Sequence, residues 1–153
     1  MTSSDLSDQS KDFRNSKAIA ENIYKEFFSQ GDLEKQMGAS PMEMMDRDRA
    51  AVPKIQLDFM DTVALPVFEC VFTFNRMVAK LVPEGTSTFE AITLNRQCWA
   101  ALDEILVEQG ERSVLGLDYL RDDDLEKQVL ERVRQKKKKK QHKVCRLVFE
   151  LLI

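Results

Sequence analysis

Histidine occurs once in this chain of 153 residues, at position 142. Because catalytic zinc sites usually take several histidine ligands, this count excludes a histidine-rich metal centre built by the chain alone. Cysteine is also scarce, since Cys70, Cys98 and Cys145 form no C-x-x-C pair and leave one thiol over. A disulfide framework or a zinc knuckle is therefore not expected, and the cysteine usage predicts a reducing, cytoplasmic environment.

Glycine and proline number five and four, too few for the many turns of a β-sandwich or barrel. Long apolar runs are missing as well, and none approaches the roughly 18 to 20 residues that span a bilayer. The chain does contain 43% hydrophobic residues and many Leu, Glu, Lys, Met and Ala, which favour helices and suffice for one core. The composition predicts a soluble, all-α protein built as a helical bundle.

The first third of the chain has apolar residues at helical spacing. Positions 20, 23, 24, 27 and 28 follow the i, i+3, i+4 pattern, which predicts a helix that begins near Lys17 and ends at Gly31. Ser40, Pro41 and Glu43 then have the order of a capping box with proline at the first helical position. They predict the start of a short, Met-rich helical turn.

A long helix is predicted in the middle of the chain. Apolar residues recur at intervals of three and four from Pro53 to about Leu81. Pro66 is expected to kink this helix, because proline removes a backbone donor and crowds the preceding turn. Pro83 and Gly85 are expected to end it.

A further helix is predicted to begin at a second capping box, formed by Ser87 and Glu90. Four apolar residues at compatible spacing would form its buried face: Ile92, Trp99, Leu102 and Leu106.

Charge is spread unevenly along the chain. The net charge is −3, yet from Arg134 onward there are eight Lys or Arg residues and one acid. Aspartates at 122 to 124 precede Leu125, Val129 and Val133, and the lysine run 136–140 follows. The pattern predicts a charged helix with a favourable dipole arrangement that is solvated and does not belong to the core.

The lysine run admits three interpretations. It could bind an anionic membrane or a nucleic acid, since each neutralised phosphate releases a counterion. It has no interleaved aromatic residues for base stacking, so nucleic acid is not expected as a partner. A solvated charge run is the favoured interpretation, and weak contact with an anionic membrane stays open.

Gln56 interrupts an otherwise apolar stripe that contains Ile55, Phe59 and Val63. A buried amide needs partners, because leaving it unpaired costs on the order of 1 to 3 kcal/mol. A structural glutamine that bonds to a neighbouring backbone group is the simpler interpretation. In the alternative, the amide faces a pocket and binds a ligand edge, with Phe59 one turn on as a stacking surface.

The polar opening segment around Asp5 could bind a cation, but an isolated aspartate is more often a solvated or capping residue.

Several ordered segments carry a likeness to a known family. They are MTSSDLSDQ at 1–9, IYKEFFSQGDLEK at 23–35, PMEMMDR at 41–47, VPKIQLDFM at 52–60 and NRQCW at 95–99. With this order and spacing, the chain resembles the C-terminal part of the catalytic domain of class I 3′,5′-cyclic nucleotide phosphodiesterases, and among them the cGMP-stimulated type. The family's fold is all-α, as the composition predicts.

The resemblance implies roles for individual residues. Asp5 would be a metal ligand, Gln56 would hydrogen-bond the purine edge, and Phe59 would stack on the purine ring. The resemblance implies no catalytic residue in this chain. The remaining lining of the nucleotide pocket would come from Leu6, Gln9, Ile23, Tyr24, Phe27, Met44, Ile55 and Val63.

The resemblance also implies a division of the chain. Residues 1–108 would be the C-terminal part of the catalytic domain, and residues 109–153 a divergent charged tail. The complete domain of the family holds divalent metals, Zn together with Mg or Mn, of whose ligands this chain has only Asp5. The missing part would leave apolar faces uncovered, at Ala20, Ile23, Phe27 and Val63.

The sequence is compatible with two functions. In the first, the chain serves in the hydrolysis of cAMP or cGMP, contributes the purine-binding half of the site, and is inactive alone. Its partners would be the cyclic nucleotide, the rest of the catalytic domain and, as an open possibility, a second copy in a homodimer. In the alternative, it is a non-catalytic all-α interaction module with a basic tail.

Overall fold

The computed structural model of the protein describes residues 6–78, 84–110 and 116–151, and these residues form helices without any strand. The α-helices are α1 (Phe13–Gln36), α2 (Val52–Phe59), α3 (Leu65–Val78), α4 (Glu84–Glu108) and α5 (Asp123–Leu151). Short 3-10 helices cover Ser7–Ser10, Glu43–Met45 and Asp118–Arg121, and a π-helical turn covers Met60–Ala64. The predicted all-α class is confirmed.

Helix α1 is longer at both ends than its apolar pattern predicts. Asp12 caps the start, where its carboxylate accepts a hydrogen bond from the backbone N–H of Asn15 at 3.0 Å. The end is a Schellman motif, in which Gly38 has φ +80° and the N–H of Ala39 donates to the carbonyl of Glu34 at 2.9 Å. The predicted end at Gly31 is therefore wrong, because the glycine with left-handed backbone is Gly38.

Gly31 lies inside α1 for a different reason. A Cβ atom at this position would lie 2.0 Å from the carbonyl oxygen of Met45, closer than any non-bonded contact allows. The backbone of the following segment thus touches α1 directly at this glycine. The 3-10 helix in that segment begins at Glu43 and has no side-chain cap, so the predicted capping role of Ser40 is wrong.

Helices α2 and α3 form one continuous helix, which is interrupted by an irregular turn between them. The N–H of Leu65 donates to the carbonyl of Met60, a wider spacing than that of an α-helix. The irregularity expected at Pro66 thus takes the form of a π turn directly before the proline, which cannot donate to the preceding turn. The predicted end near Leu81 lies outside the described residues.

Helix α4 runs through the centre of the core. Its predicted buried face is confirmed, since Ile92, Trp99, Leu102 and Leu106 are each at most 1% exposed. Its start differs from the prediction, because the helix already includes residues 85 to 87 and Ser87 therefore cannot cap it. Trp99 also meets the ring of Phe13 edge to face at 5.5 Å, which joins α4 to α1.

Helix α5 belongs to the core along its first half, contrary to the prediction of a solvated helix. Leu125, Val129 and Val133 are buried, and Val129 is fully inaccessible. Ion pairs flank this apolar seam, including Arg132 with Glu108 at 2.7 Å. This packing was not predicted from the sequence, because the charged residues of the helix outnumber its three-residue apolar stripe.

The bundle leaves some apolar side chains uncovered. Ile23 and Val63 are 43% and 38% exposed, and Phe27 is partly buried against the core. Ala20 is buried at 3% exposure, so the expectation that it would be uncovered is wrong. Among the described helices, none is both long and apolar enough to pass through a bilayer.

Candidate functional site

Two buried glutamines from distant parts of the sequence meet beside α2. Gln56 is 7% exposed and Gln9 is 8% exposed. The Gln56 Nε2 donates to the Gln9 Oε1 at 3.3 Å. The partner of Gln56 is thus another side chain and not the neighbouring backbone that a structural glutamine was expected to use.

A third residue holds Gln9 in place. The Nδ2 of Asn95, which is 1% exposed on α4, donates to the carbonyls of Gln9 at 2.8 Å and Lys11 at 2.6 Å. The amide of Asn95 therefore links the first 3-10 helix to α4 and holds the backbone of Gln9 in position. Sequence reasoning did not single out Asn95, although a lone amide among Ile92, Cys98 and Trp99 is the same signal that marked Gln56.

The Gln9–Gln56 pair leaves polar atoms unused. Each amide has a donor group and an acceptor oxygen. Among the described residues, neither the Oε1 of Gln56 nor the Nε2 of Gln9 has a hydrogen-bond partner, yet neither atom is sealed from solvent. The pair therefore presents an acceptor and a donor that a ligand could use.

Phe59 follows Gln56 by three residues, which places the two side chains on neighbouring positions of the same helical face. The ring is partly buried, whereas the adjoining Met60 is fully inaccessible. Phe59 thus keeps part of its surface exposed close to the glutamine pair.

The other predicted lining residues differ in exposure. Tyr24 is a core residue at 4% exposure, it meets Phe27 edge to face at 5.9 Å, and burial raises the pKa of its phenol to about 12. Ile23 and Val63 are exposed. The remaining four predicted lining residues that lie in described segments are partly buried: Leu6, Phe27, Met44 and Ile55. Their roles toward a ligand stay predictions.

A second polar cluster fixes the segment that carries Met44. Asp46 is 5% exposed and accepts hydrogen bonds from the Lys35 Nζ at 2.6 Å, the Arg49 Nε at 2.7 Å and the backbone N–H of Asp48 at 3.0 Å. The hydrogen bonds from Lys35 and then Arg49 hold the pKa of the Asp46 carboxyl far below its ordinary value. Asp46 was not recognised from the sequence, because one partner, Lys35, lies in α1 and the other, Arg49, lies in the turn that follows Asp46.

A further ion pair holds the same segment from outside. The guanidinium of Arg47 pairs with both carboxylate oxygens of Asp32, and it also lies over the ring of Phe28 at 5.7 Å. The segment 41–49 is thus attached to α1 by the Lys35–Asp46 and Asp32–Arg47 ion pairs, close in sequence to the Gly31 contact.

A metal centre is not formed by the described part of the chain. Asp5, the predicted ligand, lies outside the described residues. Within residues 6–78, 84–110 and 116–151, no group of three or more His, Cys, Asp or Glu side chains is arranged to hold a metal ion. These residues therefore do not fit the two-metal site that the family resemblance implies.

Comparison with known proteins identifies relatives of the chain. It is 33% identical over 133 residues to the cGMP-specific 3′,5′-cyclic phosphodiesterases of Drosophila virilis and Drosophila melanogaster. The match includes 86% of this chain but 13% and 11% of those two proteins, so the chain spans about a tenth of their length. A match of this extent includes residues on both sides of Glu108, and the predicted boundary between domain and tail at that residue stays a prediction.

The assignment to the cGMP-stimulated type is finer than these relatives allow, since their names describe cGMP-specific enzymes. The wider family is shown by its sequence profile, 3′5′-cyclic nucleotide phosphodiesterase, which matches residues 1–84 and thus more than half of the chain. The matched residues include the glutamine pair, Phe59 and the Asp46 cluster. The chain belongs to the 3′5′-cyclic nucleotide phosphodiesterase family.

Proposed function

We propose that this chain supplies the purine-binding part of an enzyme that hydrolyses cAMP or cGMP to the 5′-nucleoside monophosphate. The observation that carries the proposal is the buried Gln9–Gln56 pair, whose unused donor and acceptor atoms remain accessible. A buried polar group that finds no internal partner is costly unless water or a ligand satisfies it. The pair is therefore better suited to a ligand than to packing alone.

The amide of Gln56 matches the edge of either purine. Guanine presents the O6 acceptor beside the N1–H donor, and adenine presents the N1 acceptor beside the N6–H donor. The amide has an acceptor oxygen and a donor nitrogen side by side, so by rotating to match the base it can form two hydrogen bonds with either purine. The proposal accordingly includes both cyclic nucleotides and assigns no preference.

Phe59 would supply the stacking surface. Its ring is partly exposed one helical turn from Gln56, and a flat aromatic face binds a purine whatever its substituents. Leu6, Ile55 and Val63 would line the pocket from the adjacent turns, with Ile23, Phe27 and Met44 from the α1 side. Tyr24 would act through Phe27, against which its buried ring packs.

The hydrolytic step is assigned to residues outside this chain. Hydrolysis adds water across the bond between phosphorus and the 3′ oxygen, which leaves as the ribose 3′-hydroxyl. In the complete domain, divalent metals, Zn with Mg or Mn, would serve this step, with Asp5 as one ligand. The described residues do not fit such a centre, so we expect no turnover from the chain alone.

The rest of the catalytic domain would be the first partner of the chain. Ile23 on α1 and Val63 in the π turn are exposed apolar residues, and a covering segment would remove both from water. A homodimer would be an alternative way to cover them. A non-catalytic interaction module would need the same surface but no nucleotide.

Binding of cGMP to the intact chain, with Gln56→Ala beside Gln30→Ala, tests the proposal. Gln30 is an exposed residue of α1 that bonds only to Glu34, so its variant controls for loss of a glutamine. We expect weak binding by the parent and by Gln30→Ala, and at least tenfold weaker binding by Gln56→Ala, since two hydrogen bonds are worth about 1 kcal/mol each. Equal binding by all three proteins would contradict the proposal and favour the interaction module.

A turnover assay with cAMP and cGMP in the presence of zinc and magnesium tests the second part. We expect no product. Metal-dependent product formation would show that the chain holds the catalytic centre by itself.

A further inference from the structure

The surface between α4 and the middle of α5 forms a groove with several cationic side chains in its lining. Its volume is about 290 Å³, and Arg96 and Gln97 line one side while Lys136, Lys137 and Lys140 line the other. The groove lies on residues that the proposed nucleotide site does not use.

The acids near this groove are already paired, whereas part of the lysines are not. Glu104 accepts hydrogen bonds from the Lys136 Nζ at 2.7 and 2.5 Å, and Asp61 accepts from the Arg96 Nε at 2.5 Å. Lys137 and Lys140 form no ion pair with any described residue. The groove therefore has uncompensated positive charge that an anion could neutralise.

The lysines are also held on a fixed support. Val133 and Val129 are buried in the core about one and two turns before Lys137, and the Glu104 pair with Lys136 continues the contact between α4 and α5. An anchored helix presents its charges in a constant arrangement, which lowers the ordering cost when a ligand binds. This distinguishes the groove from a freely moving lysine tail.

The composition of the helix favours a membrane surface over a nucleic acid. No aromatic residue lies among residues 134–143, so the run offers no base-stacking platform. A cluster of lysines on a helix is attracted to an anionic membrane surface, with about 1 kcal/mol for each lysine close to the surface.

We propose that the lysine-lined groove between α4 and α5 binds the phosphate headgroups of an anionic phospholipid membrane. Lys137 and Lys140 meet the headgroups at the groove, and Lys138 and Lys139, which do not line the groove, contribute less because screening weakens the attraction of a charge as its distance from the headgroups grows. The helix lies along the membrane surface and does not cross it.

Co-sedimentation of the full chain with vesicles tests this. Phosphatidylcholine vesicles with added phosphatidylserine should bind the chain, vesicles of phosphatidylcholine alone should not, and rising salt should release it. Lys137→Ala with Lys140→Ala should weaken binding about thirtyfold, on the basis of the usual contribution of a lysine near an anionic surface. Lys138→Ala with Lys139→Ala removes the same charge and should weaken binding about threefold or less.

Each other outcome overturns the proposal. Equal losses in the two double variants would assign binding to the charge of the tail and not to the groove. Absence of binding by the parent chain, or binding of polyuridine RNA in preference to the vesicles, would exclude the membrane as the partner. Circular dichroism of each variant verifies that the helices are intact, and all four lysines are exposed, so the substitutions remove no packing.

Discussion

The Asp46 cluster and the Gln9–Gln56 pair are both buried polar groups, but they differ in how completely they are satisfied. Asp46 accepts hydrogen bonds from Lys35, Arg49 and a backbone N–H, all between 2.6 and 3.0 Å. The glutamine pair has one hydrogen bond, at 3.3 Å, and retains an accessible donor and acceptor. We call the first arrangement closed, because the buried carboxylate is hydrogen-bonded within the protein, and the second open, because one donor and one acceptor are unused.

This difference separates a structural role from a binding role. A closed cluster gains nothing from a ligand and loses stability when any member is removed. An open pair contributes less to stability, and its unused atoms are available for a ligand. Substitutions in the two arrangements should therefore differ in how much stability they remove.

Gly31→Ala should cause the largest loss. The new Cβ would lie 2.0 Å from the Met45 carbonyl, so the segment attached by the Asp46 cluster must move. Overpacking of this kind costs about 3 kcal/mol, partly offset by roughly 1 kcal/mol from the better helix propensity of alanine. Chemical denaturation measures the free energy of unfolding. Gln30→Ala, one residue earlier on the exposed face, should leave that free energy nearly unchanged, and a similar loss in both variants would contradict the close contact.

Asp46→Asn should lower Tm by several degrees, because Lys35 and Arg49 would lose the carboxylate that they share. Asp48→Asn removes a carboxylate from the same Lys35, but its side chain is 75% exposed, so the change should be small. Thermal unfolding of both variants checks this. If the two losses are equal, the burial of Asp46 has no structural role.

Acid should destabilise the parent chain more than Asp46→Asn. The pKa of Asp46 in the folded chain lies below its ordinary value of 3.8, so this carboxylate contributes stability that is fully present above that value and is lost as the pH falls below it. The variant has no such proton to take up. Plots of unfolding free energy against pH should therefore converge at low pH, and parallel plots would contradict the assigned pKa direction.

Gln56→Ala should cost the least stability, about 1 to 2 kcal/mol, since the amide has a single internal hydrogen bond. The loss of nucleotide binding should be the larger effect of this substitution. Denaturation of the free variant measures the first quantity. A loss of stability as large as that of Asp46→Asn would indicate that Gln56 has a structural role.

The sequence was informative where local rules and periodicity decide the outcome. The helical class and the buried face of α4 follow from composition and from the spacing of Ile92, Trp99, Leu102 and Leu106. The position of Gln56 on an apolar stripe was recognisable as unusual for the same reason. Its partner was not, because Gln9 lies 47 residues away and reaches Gln56 only through the fold.

The errors concern features that the tertiary structure decides. Gly31 and Gly38 both lie near the end of an apolar pattern, and only the contact with Met45 distinguishes the packing glycine from the capping one. Leu125 and Val133 look like an isolated stripe on a charged helix until α4 provides the opposite surface. Ser87 and Glu90 have the spacing of a cap, but the helix begins earlier.

The most direct measurement is the NMR signal of the side-chain amides during titration of the intact chain with cGMP. We expect the NH₂ resonances of Gln56 and Gln9 to shift together with the same apparent affinity, while those of the exposed Gln128 stay in place. Unchanged Gln56 and Gln9 signals at high cGMP, or shifts of the same size at Gln128, would contradict the claim that the open glutamine pair is the purine site.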